Sequence, residues 1–177
     1  HDLTLYVREK ARVWGLEEEY LSSQALDDLG CVWSCFQGFL NAGESESIPV
    51  MCLFDNEEVG SSSPQGADSD LLDLLLSRIC KALGLCKGQM LARSMMVSAD
   101  NAHAVHPNHP EYVDPTNRPF MNGGIVIKHN ASQKYTTDAV SAALFEAVCR
   151  QADVPVQHFY NRSDMGGGST LGNIANT

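Results

Sequence analysis

The sequence predicts an α/β protein with a mostly parallel central sheet. Two short runs, residues 48–54 and 95–99, are continuously apolar, as expected for strands buried on both faces of a parallel sheet. Segments with apolar residues at helical spacing alternate with these runs along the chain. Carboxylates follow each run: Glu57 and Glu58 after the first, Asp100 after the second. Because ligands collect outside the carboxyl ends of strands in open α/β sheets, these carboxylates should share one rim of the sheet.

Length and charge limit the functions open to this chain. Its 177 residues suit one domain with one hydrophobic core. A formal net charge of −10 leaves no basic surface for nucleic acid or an anionic membrane, so divalent cations and neutral or cationic ligands are favoured. Six cysteines lie mostly in apolar runs without a C-x-x-C pair, which predicts reduced, buried thiols in a cytoplasmic protein. No apolar stretch reaches membrane-spanning length.

The N-terminal part is predicted to form a strand over residues 1–7, where polar and apolar residues alternate weakly, and then a helix. The helix is predicted because apolar residues recur at helical spacing: Leu29, Val32, Trp33, Phe36 and Leu40. Gly43 provides its stop. Asp27 and Asp28 therefore stand at a helix N-terminus, where an N-cap contributes about 1 kcal/mol. Only one of them can cap the helix, and the other is available to bind a ligand.

Glu57 and Glu58 follow the first apolar run within a few residues. Neighbouring side chains in an extended or turning segment point to opposite sides, so these two carboxylates would do different jobs. One would bind a metal ion, and the other would accept the proton of a metal-activated water. The alternative is an acidic loop in solvent, which is the more common case for such a segment taken alone.

The middle of the chain is predicted to contain a turn-rich loop over residues 61–66 and a helix. Ser69 is expected to cap this helix, with Asp70 in its first turn, and Gly84 to end it. The second apolar run, residues 95–99, comes next and leads into Asp100.

Residues 101–120 form a long polar loop with three histidines, His103, His106 and His109. A loop of this length in a compact domain is usually functional or mobile. Their H-x-x-H-x-x-H spacing suggests a metal site, but the neighbouring prolines prevent a helix and disfavour a separate histidine site.

The last third is predicted to contain a strand over residues 124–129 that carries Lys128, a helix over 137–152 and a strand over 156–160. A glycine-rich turn follows, in residues 161–170. It lacks the Walker lysine of a phosphate-binding loop, so a backbone loop that closes over a substrate is the alternative.

Four segments together resemble the M18 metallopeptidases, the aspartyl aminopeptidase family. They are LDDL at residues 26–29, DNEEVGS at 55–61, SADNAHAVHPN at 98–108 and SDMGGGSTLG at 163–172. Their order and approximate spacing match the family across nearly the whole chain, and the third segment is the most specific. The resemblance implies a three-layer αβα zinc-peptidase-like fold, a mostly parallel central sheet and a metal-dependent aminopeptidase.

The resemblance also assigns metal-site roles. It implies two zinc ions per site, with cobalt or manganese possible, in which Asp27 bridges the ions and Glu58 and Asp100 each bind one. Glu57 would be the general base, in agreement with the split between neighbouring glutamates. With Asp27 on the metals, the N-cap role is expected to pass to Asp28.

Substrate roles follow in the same way. Members of the family that prefer acidic N-terminal residues place a lysine and a tyrosine in the specificity pocket, and Lys128 and Tyr135 match those positions. An exposed strand-end lysine is the alternative for Lys128, although a chain this acidic needs a local cation to attract an Asp or Glu side chain. His103 would line the substrate site, as would Gly168 and Ser169, while His106 would be a metal-site support or simply structural.

Two family features have no counterpart in this sequence, namely the H-T-D-type and M-H-type motifs that carry two histidine ligands. Residues 1–177 are therefore expected to be one catalytic-domain segment without the N-terminal part, the dimerisation insertion and the C-terminal end. The segment alone is expected to be inactive, and the complete protein to form dimers that assemble into a dodecamer. A non-catalytic metal-binding or assembly module, or an inactive fragment, is the alternative.

Overall fold

The structure, a computed structural model, describes residues 3–164. Contacts between Cα atoms divide the chain into two compact units. Unit 1 comprises the chain up to Leu53 together with Ser98–Asn101, and unit 2 comprises Phe54–Val97 and the chain from Ala102 onward. The assignment of residues 1–177 to one catalytic-domain segment stays a prediction.

Unit 1 contains a small antiparallel sheet. β1 (Arg12–Trp14) pairs with β2 (Tyr20–Ser22) across a turn that includes Gly15 at φ 106°. The strand predicted over residues 1–7 is wrong for its described part, since residues 3–11 have no regular secondary structure. Strands form where a turn returns a partner alongside, and weak alternation in the sequence does not report a partner.

Unit 1 also contains α1 (Leu26–Asn41), the helix predicted from the apolar spacing. Its N-cap is Ala25, which makes no side-chain capping hydrogen bond. The capping role expected for Asp28 is therefore wrong, because Asp27 and Asp28 both lie within the first turn and have non-helical backbone angles. No residue of α1 is buried, so its apolar side chains are largely exposed.

The apolar runs at residues 48–54 and 95–99 form no hydrogen-bonded ladder within residues 3–164. The two strands predicted there are thus not formed in the described structure. Continuous apolar composition indicates a segment that is buried in a complete protein, but a strand requires the N–H and C=O groups of a neighbour.

Two helices follow in unit 2, α2 (Leu71–Leu83) and α3 (Lys87–Leu91). Gly84 ends α2 at φ 68°, and its N–H donates to the carbonyls of Cys80 and Lys81, so the predicted end is confirmed. The N-cap residue is Asp70 rather than the predicted Ser69. The α3 helix has five residues, too few to show a periodic pattern in the sequence.

A parallel β-α-β unit completes the described part of unit 2. β3 (Ile125–His129) and β4 (Val156–Tyr160) pair in parallel, and α4 (Ala139–Gln151) connects them, as predicted. α4 begins with a capping box in which the Asp138 carboxylate accepts a hydrogen bond from Ser141 N at 2.7 Å, and the Ser141 hydroxyl accepts one from Asp138 N at 2.9 Å.

The buried residues among those described all belong to unit 2. Ile127 pairs with His158, and Phe159 pairs with Lys128. Since successive side chains of a strand point to opposite faces, buried Ile127 and Phe159 show that both faces of the β3–β4 pair are covered. The remaining buried residues lie in other loops and helices of unit 2: Gly66, Ala67, Cys80, Val113, Pro119, Ala142 and Cys149.

The six cysteines are free thiols, of which only Cys80 and Cys149 are buried. The expectation that most of them are buried is therefore wrong for the described structure. No helix among residues 3–164 is long and apolar enough to cross a membrane.

Candidate active site

Three carboxylates converge at the start of α1. Asp27, Asp28 and Asp100 each offer an oxygen atom, and these atoms lie within 4.8 Å of one another. The backbone at Asp27 (φ −88°, ψ 110°) and Asp28 (φ −117°, ψ 24°) departs from helical geometry, and the peptide bond between them is cis. Carboxylates held this close repel one another, so the arrangement favours a bound cation. Asp27 and Asp100 are two of the three metal ligands that the sequence predicts.

Asp28 is the member of this acidic cluster that sequence reasoning did not place among the candidate ligands. Its Oδ1 atom is buried and has no hydrogen-bond partner among the described residues. An unsatisfied buried oxygen is unfavourable unless a donor or a cation meets it. The adjacent position of two aspartates in LDDL was the available signal, but helix capping offered an ordinary explanation for Asp28.

Asn101 connects the two chain segments that carry the acidic cluster. Its Nδ2 donates to the Leu26 carbonyl at 2.7 Å, and its Oδ1 accepts from the Cys31 thiol at 3.3 Å. These hydrogen bonds link residues that are 75 and 70 positions apart in the sequence. Asn101 therefore fixes the residue after Asp100 against the first turn of α1.

Cys31 makes a hydrogen bond beside the acidic cluster. Partial burial, a hydrogen bond with Asp28, and the negative charges of Asp28 and Asp100 raise the pKa of the Cys31 thiol to about 12. The thiol is thus protonated at neutral pH and can donate to Asn101.

Glu57 and Glu58 lie in an exposed, hydrogen-bonded turn of unit 2. The N–H of Gly60 closes this turn by donating to the carbonyls of Asn56 at 2.9 Å and Glu57 at 3.0 Å. The carboxylate-rich segment that follows residue 54 in the sequence therefore forms a tight turn in the structure.

The loop that follows braces this turn. Asp55 N donates to Gln65 O at 3.1 Å, and Asp68 N donates to Ser61 O at 3.0 Å. Gly66 is buried at the centre of the loop, where a Cβ atom would lie 2.0 Å from Ser61 O. The backbone packing of the loop thus requires glycine at this position.

The predicted substrate residues of unit 2 lie along one face of the β3–β4 pair. Lys128 Nζ is 5.8 Å from the centre of the Tyr135 ring, within the range of a cation–π contact. Lys128 pairs with Phe159 in the ladder, so their side chains share a face. The His103 ring meets the Phe159 ring edge-on, with centroids 5.0 Å apart.

The two other loop histidines make local contacts. His106 Nδ1 accepts from Asn108 N at 3.2 Å, and His109 Nδ1 lies 3.1 Å from a Glu111 carboxylate oxygen. Within residues 3–164, no group of three metal-ligating side chains other than Asp27, Asp28 and Asp100 converges as closely. Gly168 and Ser169, also predicted to contact substrate, lie outside the described residues.

Comparison with known proteins covers the whole chain. The family described as aminopeptidase I zinc metalloprotease (M18) matches residues 1–177. The chain is 49% identical over 179 residues to the probable M18 family aminopeptidase 2 of Clostridium novyi, covering 99% of this chain and 41% of that protein. It is 42% identical over 180 residues to aspartyl aminopeptidase 1 of Schizosaccharomyces pombe, covering 97% of this chain and 38% of that protein. The chain thus spans about two-fifths of the length of these curated relatives.

The fold is also similar to that of solved structures. The structure of the S. cerevisiae mApe1 dodecamer matches with a TM-score of 0.73 and 30% identity, covering 86% of this chain and 37% of that chain. The α/β fold class predicted from the sequence is confirmed, with this chain holding an incomplete part of it. Because the M18 family matches residues 1–177, the chain belongs to the M18 family of aminopeptidases.

Proposed function

We propose that the protein to which this chain belongs is a metal-dependent aminopeptidase that removes acidic N-terminal residues, Asp or Glu, from peptides. The observation that carries the proposal is the convergence of Asp27, Asp28 and Asp100 within 4.8 Å. The family description, a zinc metalloprotease, supports the same chemistry.

The residues of the acidic cluster fit a divalent cation. Three carboxylates supply negative charge and oxygen donors, and the buried Asp28 Oδ1 is an acceptor that lacks a donor among the described residues. Asp27 and Asp100 would hold the metal, with Glu58 assigned as a further ligand by family resemblance. We propose zinc, two ions per site with Asp27 shared between them; cobalt or manganese could replace it. When bound, zinc supplies a Lewis acid and lowers the pKa of a bound water.

We assign Glu57 as the residue that transfers the proton during peptide hydrolysis. Its carboxylate would accept a proton from the attacking water and deliver it to the nitrogen of the departing peptide. The turn closed by Gly60 N–H fixes the backbone on which Glu57 and Glu58 are neighbours. This division leaves Glu58 to bind metal and Glu57 to exchange protons.

Lys128 is assigned to recognise the acidic side chain of the substrate. An Asp or Glu carboxylate approaching a chain of net charge −10 needs a local cation, and lysine forms a charge-assisted hydrogen bond with it. The Tyr135 ring beside Lys128 and the His103 ring against Phe159 would shape the same pocket. Gly168 and Ser169 would contact the substrate backbone. The 42% identity to a protein named aspartyl aminopeptidase 1 supports this specificity.

We also propose that the complete protein is a cytoplasmic homo-oligomer in which dimers assemble into a dodecamer. The S. cerevisiae relative is described as a dodecamer. The free thiols agree with a reducing compartment such as the cytoplasm. The many exposed large apolar side chains agree with contacts to other subunits.

The test is metal analysis combined with hydrolysis of Asp-, Glu- and Leu-initiated peptides by the full-length protein. Asp27→Asn should lower metal content and activity together, and the exposed Asp153→Asn should change neither. Hydrolysis with a preference for Asp and Glu would support the whole proposal. Metal binding without hydrolysis of any peptide would instead indicate a non-catalytic metal-binding module, and no metal binding would refute the assigned centre.

A further inference from the structure

A row of three polar side chains crosses the β3–β4 pair on the face that carries α4. His129 Nε2 lies 3.1 Å from His158 Nδ1, and His158 Nε2 lies 3.3 Å from Glu146 Oε1 of α4. The His129 ring is also stacked on the Tyr160 ring, with centroids 4.5 Å apart and planes 8° apart. The proposed aminopeptidase chemistry uses none of these residues.

The contact with Glu146 sets the protonation of the two rings. An ionised carboxylate can only accept hydrogen bonds, so its position 3.3 Å away favours the tautomer of His158 with the hydrogen on Nε2. In neutral His158 the other nitrogen, Nδ1, then has a free lone pair that points at His129 Nε2. Burial and the neighbouring His158 lower the pKa of His129, while Glu146 raises it to a smaller extent. The two rings therefore share one proton between His129 Nε2 and His158 Nδ1.

This arrangement has the features of a histidine metal site. A metal-binding histidine usually has a carboxylate beside its second ring nitrogen, as His158 has Glu146 at 3.3 Å. Metal–nitrogen bonds of 2.0–2.1 Å in tetrahedral geometry place two ligand nitrogens roughly 3.3 Å apart. The observed separation of 3.1 Å is within a few tenths of an ångström of that value.

We propose that His129 Nε2 and His158 Nδ1 bind a late transition-metal ion, such as Cu²⁺, Ni²⁺ or Zn²⁺, in place of the proton they share. Imidazole nitrogens suit these ions, and the expected order of affinity places Cu²⁺ first. The hydrogen on His129 Nε2 moves to Nδ1 of the same ring, so that each neutral ring offers one nitrogen lone pair to the ion. Protonation of either ring competes with the metal, so affinity rises with pH.

A cavity of about 440 Å³ beside His129 leaves room for the remaining ligands. Its lining includes His129 and Tyr160 together with the carboxylates of Glu111 and Asp114. Hydrogen bonds lower the pKa of both carboxyl groups, so they are negatively charged at neutral pH and favour a cation in the cavity. Arg162 also lines it, but its guanidinium is paired with Asp164 at 2.6 Å. Water in this cavity would complete the coordination.

The ion would join β3 to β4 through one ligand from each strand. Lys128 is next to His129 in the sequence, and Phe159 is next to His158. Both Lys128 and Phe159 lie on the opposite face of the two strands. An ion that binds only the folded state stabilises it by mass action, so the site has a stability readout that does not depend on peptide hydrolysis.

The experiment is a Cu²⁺ titration of the full-length protein, followed by electron paramagnetic resonance and by thermal unfolding. We expect one bound Cu²⁺ with coupling to two nitrogens and a raised Tm. The titration is carried out with the catalytic centre already loaded with zinc, and the dependence of the two-nitrogen signal on His129 and His158 separates this site from that centre. His129→Gln and His158→Gln should each weaken binding by at least about tenfold, and Glu146→Gln by about tenfold through loss of the supporting carboxylate.

The control variant is Glu44→Gln, which removes an exposed carboxylate outside the row and should leave binding unchanged. A two-nitrogen signal that persists in His129→Gln and His158→Gln would overturn the proposal. If those variants do not fold, nitrogen-15 spectra of the unmodified protein decide the matter. Zn²⁺ should then shift His129 Nε2 and His158 Nδ1 selectively, and unshifted resonances for both nitrogens would overturn the proposal.

Discussion

At the scale of single residues, Glu57 and Glu58 are neighbours in one turn, and we assign them different roles in catalysis. Glu57→Gln in the full-length protein should leave metal content nearly unchanged and lower kcat by at least about 10²-fold, because only the proton acceptor is lost. Metal analysis and steady-state kinetics check this. Glu58→Gln is the matched control and should lose metal. Loss of metal from the Glu57 variant would contradict the division of roles.

Lys128 gives a second residue-scale prediction. Lys128→Met should lower kcat/KM for Asp- and Glu-initiated peptides by about 1.5–3 kcal/mol more than for Leu-initiated ones, the range of a charged hydrogen bond. Lys134→Met is the control, since Lys134 is an exposed lysine of the same segment. Equal losses of kcat/KM for acidic and neutral peptides would show that Lys128 does not recognise the N-terminal side chain of the substrate.

Part of the site follows from the sequence at this scale. The family resemblance is what places Asp27 and Asp100 at one metal site, and the structure brings them into one cluster. Asp28 was missed because an aspartate at a helix start is normally a cap, and only the backbone angles show that it does not cap α1. The His129–His158 contact depends on strand register, which sequence spacing does not give.

At the scale of elements, the loop after Glu58 depends on the close approach of its own backbone. Gly66→Ala would place a Cβ atom 2.0 Å from Ser61 O and should lower the free energy of unfolding by about 1–3 kcal/mol. Gly38→Ala is the control, because Gly38 lies within α1 with no atom within 4 Å of its added Cβ. That change should raise the free energy of unfolding by up to about 1 kcal/mol. Urea unfolding measures both, and a stabilising effect of Gly66→Ala would contradict the packing described.

The capping box of α4 makes stability depend on pH. Hydrogen bonds from the Ser141 hydroxyl and backbone lower the pKa of Asp138 below its usual value. Because the folded pKa is lower than the unfolded one, of about 3.9, this stabilisation is present above that pH. It is lost as the pH falls through the folded pKa.

Asp138→Ala should therefore lower the free energy of unfolding clearly at pH 7 and much less at pH 3. Urea unfolding at both values measures the difference. Ser141→Ala should weaken the pH dependence, since it removes the hydroxyl that lies 2.7 Å from the Asp138 carboxylate. A destabilisation by Asp138→Ala of equal size at both pH values would contradict this account.

The elements differ in how well the sequence predicts them. α1, α2, α4, β3 and β4 were found because their patterns are local: apolar spacing, a glycine stop, or a short apolar run beside a helix. The runs at residues 48–54 and 95–99 have the composition of buried strands but no ladder within the described residues. The apolar composition of a segment indicates that the segment is buried, whereas the pairing of a strand depends on residues far away in the sequence.

At the scale of the whole molecule, many large apolar side chains of both units are exposed. Leu29 and Trp33 of α1 are 60% and 63% exposed, and Val140 and Leu144 of α4 are 75% and 50% exposed. Helix faces of this kind pack against other elements in a complete α/β domain. The chain spans about two-fifths of the length of its curated relatives, which leaves ample sequence in those proteins to cover such faces.

The isolated 177-residue chain should accordingly be inactive as an aminopeptidase, even where it folds, and should self-associate. Asp27, Glu58 and Asp100 offer only oxygen ligands, and zinc held tightly in such sites usually has nitrogen donors as well. The two histidines that the family resemblance implies have no counterpart in this sequence. Zinc titration, peptide hydrolysis and sedimentation of the isolated chain beside the full-length protein measure these expectations. Comparable activity in the isolated chain would mean that the metal ligands are wrongly assigned, and His103, His106 and His109 would then be the first candidates for the nitrogen donors.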